Sequence, residues 1–214
     1  INLNNGEMLV LSKSMLAADK LMDPVEKILL AQKRFNNGYG YVNKEPLYGY
    51  NKFTKKYPFA VKDSLVTFFL RNNKTAQRVM LAGTFNNWDP EALAMKQVDS
   101  GWIAIVKLGA GKHYYKFIVD EKWTVDKDNQ LVENDGEGND NSVYYKTNHV
   151  FSLAANGAAK RVSVAGSFND WRDDQIRMNQ TATGWAIDVY LADGTHTYRF
   201  IADGRWFADA AKRQ

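Results

Sequence analysis

Val79-Met80-Leu81-Ala82-Gly83-Thr84-Phe85-Asn86-Asn87-Trp88 reappears 83 positions later as Val162-Ser163-Val164-Ala165-Gly166-Ser167-Phe168-Asn169-Asp170-Trp171. The match extends in both directions. Residues 78–126 align with 161–209 without a gap, and 21 of the 49 positions are identical. His113-Tyr114-Tyr115-Lys116-Phe117-Ile118-Val119-Asp120 falls on His196-Thr197-Tyr198-Arg199-Phe200-Ile201-Ala202-Asp203. Self-similarity of this kind means two copies of one structural unit. The copies are expected over 64–148 and 149–214, with a different segment over 1–63.

Each copy reads as short strands. Leu65 to Arg71 is rich in β-branched and aromatic residues and is broken by Asn72-Asn73. Arg78 to Thr84 and Leu93 to Gln97 are two further strands. In Gly101 to Lys107, Trp102, Ala104 and Val106 share one face. In His113 to Val119, Tyr115, Phe117 and Val119 share one face and Lys116 points to the other. Asp120-Glu121-Lys122 turns into Trp123, and its counterpart Asp203-Gly204-Arg205 is a stronger hairpin signal. Ser142 to Lys146 closes copy one. Strands at this spacing without a helical period predict a mainly β fold: two tandem immunoglobulin-like antiparallel β-sandwiches. A short helical N-terminal segment precedes them. There Asp23-Pro24-Val25-Glu26 is a helix start, with Asp as N-cap and Pro at the first helical position, and Asn37-Gly38 a stop. Eight aromatics between Phe35 and Phe59 predict an ordered segment lying against the first sandwich.

The composition sets limits. The chain has 214 residues, 45% hydrophobic and 24% charged, an ordinary globular balance. It has no cysteine, which excludes disulfide scaffolds and thiol chemistry. No apolar run is long enough to span a membrane as a helix. The net charge of +4 sits within the first 60 residues, nine Lys/Arg against five Asp/Glu, and the rest balances at 19 against 19. That is a solvated surface, with no nucleic-acid partner expected. The chain opens at Ile1, so the compartment is left open.

Binding chemistry concentrates in the tryptophans. Trp88 follows two turn formers and precedes Asp89-Pro90, so it belongs to a loop. Trp123 lies just past a tight turn. Rings exposed at fixed places in two copies call for a ligand. Lys116 is on the outward face of the strand leading to that turn, and Asn139 and Asn141 sit in the loop before the closing strand. Flat rings, a cation and amides suit a sugar polymer: rings stack on pyranose C–H faces, while Lys and Asn bind hydroxyls. Trp102 and Trp185, mid-strand after Gly, are core candidates. Carboxylates such as Asp120, Asp126 and Asp203 fall in turns where backbone capping explains them, so no enzyme is expected. The acidic stretch 126–141 fails the EF-hand calcium template, because Tyr144 stands where its last ligand belongs. No metal and no cofactor is expected.

Gly83-Thr84-Phe85-Asn86-Asn87-Trp88, Tyr115-Lys116-Phe117-Ile118-Val119-Asp120 with Trp123, and Gly138-Asn139-Asp140-Asn141-Ser142 resemble the family 48 carbohydrate-binding modules. These include the glycogen-binding domain of the AMP-activated protein kinase β subunit and the starch-binding domains of plant glucan phosphatases. The resemblance implies that Trp88 and Trp123 stack on α-1,4-linked glucose units and that Lys116 and Asn141 hydrogen-bond the sugar, with Asn139 as the alternative to Asn141. Copy two matches at Trp171, Arg199 and Trp206. It departs in having Arg199 for Lys, and in ending before any counterpart of the Asn loop or the closing strand. The implied function is non-catalytic binding of an α-glucan (glycogen, starch or maltooligosaccharide). The alternative is an accessory or protein-interaction module, with a protein partner at the N-terminal segment or at the open edge of the second sandwich. Glu7-Met8-Leu9-Val10-Leu11 is a candidate strand for that edge.

Overall fold

The computed structural model describes residues 46–55, 64–154 and 159–209. The expected helix at 23–37 and the candidate strand at 7–11 lie outside them. The first strand, β1 (Tyr48–Gly49), belongs to the aromatic-rich segment. The first copy then supplies β2 (Leu65–Arg71), β3 (Val79–Gly83), β4 (Lys96–Val98), β5 (Gly101–Lys107), β6 (Gly111–Val119), β7 (Lys122–Thr124), β8 (Val132–Asn134) and β9 (Asp140–Lys146).

These strands form two antiparallel sheets. One is β2-β5-β4, with β2 and β5 paired along their whole length from Leu65↔Lys107 to Arg71↔Gly101. The other is β3-β6-β9-β8, with β7 also on β6. Alternation decides which side chains meet between them. Val66, Phe68 and Leu70 of β2, Trp102 and Ala104 of β5, Leu81 of β3, and Tyr115 and Phe117 of β6 form one buried cluster. Trp102 is in this core as expected, and its indole N–H donates to the Asn73 carbonyl at 2.9 Å. The buried hydroxyl of Tyr115 donates to Asp126 Oδ2 at 2.8 Å, and Asn129 Nδ2 donates to that hydroxyl and to the Val143 carbonyl. Among the described residues no buried side-chain nitrogen or oxygen lacks a partner.

The second copy repeats this plan with β10 (His149–Ala154), β11 (Val162–Gly166), β12 (Ile176–Arg177), β13 (Asn179–Thr181), β14 (Gly184–Leu191), β15 (Tyr198–Ala202) and β16 (Arg205–Phe207). Its core holds Phe151, Val164, Trp185 and Phe200 at the positions of Phe68, Leu81, Trp102 and Phe117. One edge differs. In the first copy β9 pairs with the first half of β6, from Gly111↔Lys146 to Tyr115↔Ser142. In the second copy the corresponding stretch Thr195–Thr197 forms no strand, and β15 starts only at Tyr198. Tyr198 nevertheless repeats the Tyr115 bond, donating to Asp209 Oδ2 at 2.7 Å.

Residues 46–55 lie against the first sandwich, as the sequence indicates, and against the second as well. β1 extends the sheet of β14, through Tyr48↔Leu191 and Gly49↔Tyr190. Tyr48 and Tyr50 pack against the second core, and the Tyr48 hydroxyl donates to Gln175 Oε1 at 2.6 Å. Past Tyr50 the chain changes sides. Asn51 brackets Tyr145, its amide donating to the Tyr145 carbonyl and accepting from the Tyr145 N–H, both at 2.8 Å. Gln130 N–H donates to the Lys52 carbonyl and Thr54 N–H to that of Asp128, both at 2.8 Å. Only Thr147 and Asn148 separate β9 from β10, and Asn148 brackets Leu191 in the same two-bond manner at 2.9 Å. Tyr145 of the first copy stacks on Tyr190 of the second, centroids 6.4 Å apart and 21° between planes. A Cβ at Gly49 would lie 2.0 Å from the Tyr145 ring, so only glycine fits there.

Candidate functional site

The turn that presents Trp88 is built by its own sequence. Thr84–Asn86 form a single 3-10 turn, after which Asn87 and Trp88 both take left-handed backbone, with φ of 54° and 60°. A bulky residue rarely holds that conformation unless its surroundings impose it. Here Asn86 Oδ1 accepts from the Gly83 N–H at 2.9 Å, Asn86 Nδ2 donates to the Leu81 carbonyl at 3.0 Å, and the Trp88 N–H donates to the Gly83 carbonyl at 2.9 Å. Gly83 permits the close approach of β6, since a Cβ there would lie 2.4 Å from the Tyr114 carbonyl oxygen.

The Trp88 ring lies on the outer surface of the β3-β6 sheet, against Met80, Ala82 and Ile118. Ile118 pairs with Trp123 on β7, which brings the second ring to the same surface. The two rings are 6.3 Å apart and inclined by 45°. Trp123 is 46% exposed. The hairpin carrying it turns at Asp120 and Glu121, φ 44° and 69°, a two-residue turn of the type that suits twisted strands. Asp120 Oδ1 accepts from the N–H groups of Gln77 and Arg78 at 2.9 and 3.0 Å, which ties the turn to the start of β3. Asp203 repeats this with Lys160 and Arg161. Backbone capping thus accounts for Asp120 and Asp203, as the sequence indicates. Asp126 differs: it is buried, accepting from Tyr115 and from the Asp128 N–H, and burial pushes its carboxyl above the usual range.

Lys116 sits beside Ala82 in the β3-β6 register. The β6-β9 register, continued by one pair, sets Lys116 opposite Asn141, and Asn141 pairs with Glu133 on β8. Opposite residues in antiparallel strands share a face. Lys116, Asn141 and Glu133 therefore share the outer face in one row beside the tryptophan pair, with Asn141 itself largely buried at 8% exposure. Asn139 is placed differently. Its amide donates to Asp135 Oδ2 at 2.9 Å and its N–H to Asp135 Oδ1 at 3.0 Å, so it holds the loop together. The Asn139 amide, the N–H groups of Glu137 and Asn139, and the nearby Lys116 charge hold the Asp135 carboxyl below its usual range.

The second copy reproduces the ring pair. Asp170 and Trp171 are again left-handed, φ 53° and 58°, and Asn169 Oδ1 accepts from the Gly166 N–H at 2.9 Å. Trp171 and Trp206 are 6.3 Å apart at 40°, and are 42% and 41% exposed. Arg199 pairs with Ala165 as Lys116 does with Ala82. Sequence reasoning passed over Lys112, Tyr114 and Glu133. The alternation of β6 that puts Lys116 outward puts Lys112 and Tyr114 on the same face. Among the described residues no group of three or more His, Asp or Glu side chains is placed to hold a metal ion.

A family model for the glycogen recognition site of AMP-activated protein kinase matches residues 66–151 and again 150–214. Among curated proteins, the chain is similar to 5'-AMP-activated protein kinase subunit beta-1 of Rattus norvegicus, 41% identical over 56 residues, which is 26% of this chain and 20% of the relative. The Homo sapiens subunit beta-1 is 39% identical over 56 residues, with the same 26% and 20% covered. Subunit beta-2 of Mus musculus is 33% identical over 63 residues, 29% of this chain and 23% of the relative. The matched stretch thus spans about a fifth of these relatives' length. A solved maltogenic amylase from S. marinus aligns over 65% of this chain and 25% of its own, at 14% identity and a TM-score of 0.35, too loose a likeness to carry an argument. Matched twice and over more than half of its length, the chain belongs to the family of the glycogen recognition site of AMP-activated protein kinase.

Proposed function

We propose that the chain binds α-glucan without transforming it, and anchors whatever it is part of to glycogen, starch or maltooligosaccharide. The single observation that carries this reading is the tilted, solvent-facing tryptophan pair, formed twice with nearly the same geometry, each beside a cation on the neighbouring strand. Family membership supports the same ligand class. In the first copy Trp88 and Trp123 stack on glucose rings while Lys116 and Asn141 bind hydroxyls; Asn139 shapes the loop. In the second copy Trp171, Trp206 and Arg199 take the corresponding roles. The working division is one module over 64–148 and another over 149–214. The curated relatives are kinase subunits, which fits an anchoring role within a larger assembly. Affinity electrophoresis in gels containing glycogen, amylopectin or no polysaccharide tests the reading: retardation by the polymers supports it, and equal mobility in all three gels overturns it. A second reading, a protein-interaction module, rests on the edge of β15 at Thr195–Thr197, which carries no strand among the described residues.

A further inference from the structure

We propose that the glucan site of the first sandwich is longer than its tryptophan pair. Glu133 and Tyr114 form a further sugar subsite on the side of Lys116 away from Trp123, and the second sandwich has Thr195 and Thr197 where the first has Lys112 and Tyr114. This rests on the glucan reading and specifies which part of the first sandwich sets chain-length preference.

Outward residues of β6 come in the order Lys112, Tyr114, Lys116, Ile118. The two tryptophans gather around Ile118 at one end. At the other end, Tyr114 donates its hydroxyl proton to Glu133 Oε2 at 2.8 Å, Lys112 forms an ion pair with the same oxygen, and the Lys112 ammonium lies 4.8 Å from the Tyr114 ring centre. Both bonds use Oε2, and among the described residues Glu133 Oε1 is left as an open acceptor. The Glu133 side chain is 44% exposed. Glu133 shares a face with Asn141, and through it with Lys116. The row therefore offers a cation and a carboxylate on either side of the largely buried Asn141 amide. Sugar hydroxyls both donate and accept, and a charged acceptor forms the stronger class of hydrogen bond. Lys112, Tyr114 and Glu133 already hold one another in place, so little ordering is lost when a ligand arrives. The aromatic ring of Tyr114 adds an apolar surface beside these polar groups, the combination a pyranose needs.

In the second copy the positions of Lys112 and Tyr114 are held by Thr195 and Thr197, which supply neither a cation nor a ring. The first sandwich should therefore gain affinity from a longer oligosaccharide that reaches past Lys116.

Calorimetric titration of the full chain carrying Trp206→Ala, which silences the second site, with maltotriose and with maltoheptaose tests this. Maltoheptaose should bind more tightly than maltotriose. Glu133→Ala, and separately Tyr114→Thr, the residue the second copy carries, should each weaken maltoheptaose binding about five- to tenfold, the loss of about one ordinary hydrogen bond or its equivalent in ring contact. Maltotriose affinity should change by less than about twofold, the scale of an ordinary surface substitution. Thermal melts of both variants check that the fold is kept. Equal loss for both sugars would mean that Glu133 acts only by holding the loop, and would overturn the subsite. No loss for either sugar would overturn it as well. If the parent chain binds neither sugar, the glucan reading itself fails and this inference falls with it.

Discussion

Trp123 stands on a three-residue strand with 46% of its surface exposed, while Trp88 lies across Met80, Ala82 and Ile118. The difference separates their variants. Trp123→Ala should weaken maltoheptaose binding by about 1–3 kcal/mol, the range for a stacking ring, and leave the melting temperature nearly unchanged. Trp88→Ala should weaken binding too, but also cost about 1–2 kcal/mol of stability, because it uncovers the apolar patch beneath the ring. Position beside turns makes the two rings look alike; packing separates them. Titrations beside thermal melts check both, and unchanged affinity in both variants would sink the site. A second residue-scale prediction concerns Asp126. Burial raises its carboxyl above the ordinary 3.8, so the folded chain holds this proton more tightly than the unfolded chain. Stability contributed at this position is therefore fullest at low pH and declines as pH rises from near 3.8 through the raised value. Asp126→Asn removes that decline. Melts from acid to neutral pH should show the parent losing ground to the variant across the window, and a constant difference would refute the argument.

At the scale of elements, the Gly83–Trp88 turn couples sheet packing to ligand presentation. A Cβ at Gly83 meets the Tyr114 carbonyl at 2.4 Å, and one at Gly166 meets the Thr197 carbonyl at 2.3 Å. Backbone cannot swing aside as a flexible side chain can. Gly83→Ala should destabilise the first sandwich by about 1–3 kcal/mol, the usual cost of overpacking, and displace Trp88 with it. Denaturant titration together with maltoheptaose titration would read both effects, and full stability with full binding would contradict the coupling. The β6-β7 hairpin makes the opposite kind of prediction. Glu121 holds φ at 69° where the second copy has Gly204 at 83°. Glu121→Gly should relieve left-handed strain and leave stability unchanged or raised by up to about 1 kcal/mol, with Trp123 still presented.

At the scale of the whole chain, residues 48–54 join the two sandwiches. β1 is bonded to β14, Asn51 brackets Tyr145, and Gly49 fits against the Tyr145 ring that stacks on Tyr190. With two residues between β9 and β10, the copies have little freedom to move apart. Gly49→Val would drive a side chain into the ring. It should split a single thermal transition into two, while the affinity of each sandwich for a short maltooligosaccharide stays the same. If both sites bind, gain from linkage on long polymers depends on how the two faces are held, and should fall in this variant. Calorimetric scans and glycogen-gel retardation would show it, and unchanged transitions would argue against a clasp.

The repeat, the alternating strands and the core tryptophans Trp102 and Trp185 are legible in the sequence, because each depends on local spacing. A period of two fixes which face a side chain takes, and a gapless repeat carries the same plan to the second copy. The exposed pairs Trp88–Trp123 and Trp171–Trp206 are legible as candidates for the same reason, since turn formers surround them. What only the tertiary structure decided depends on partners far apart in the chain. The row from Lys116 through Asn141 to Glu133 follows from the β8-β9 pairing and from the β6-β9 register continued one pair past Tyr115↔Ser142. Asn139 is drawn into its loop by Asp135. Asp126, which reads as a turn residue, is buried and accepts the hydroxyl of Tyr115 from β6. The segment 46–55 reads as a lining for the first sandwich, yet it bonds to both. Its two halves find complementary edges on different sandwiches, and no pattern within ten residues encodes which edge lies closest.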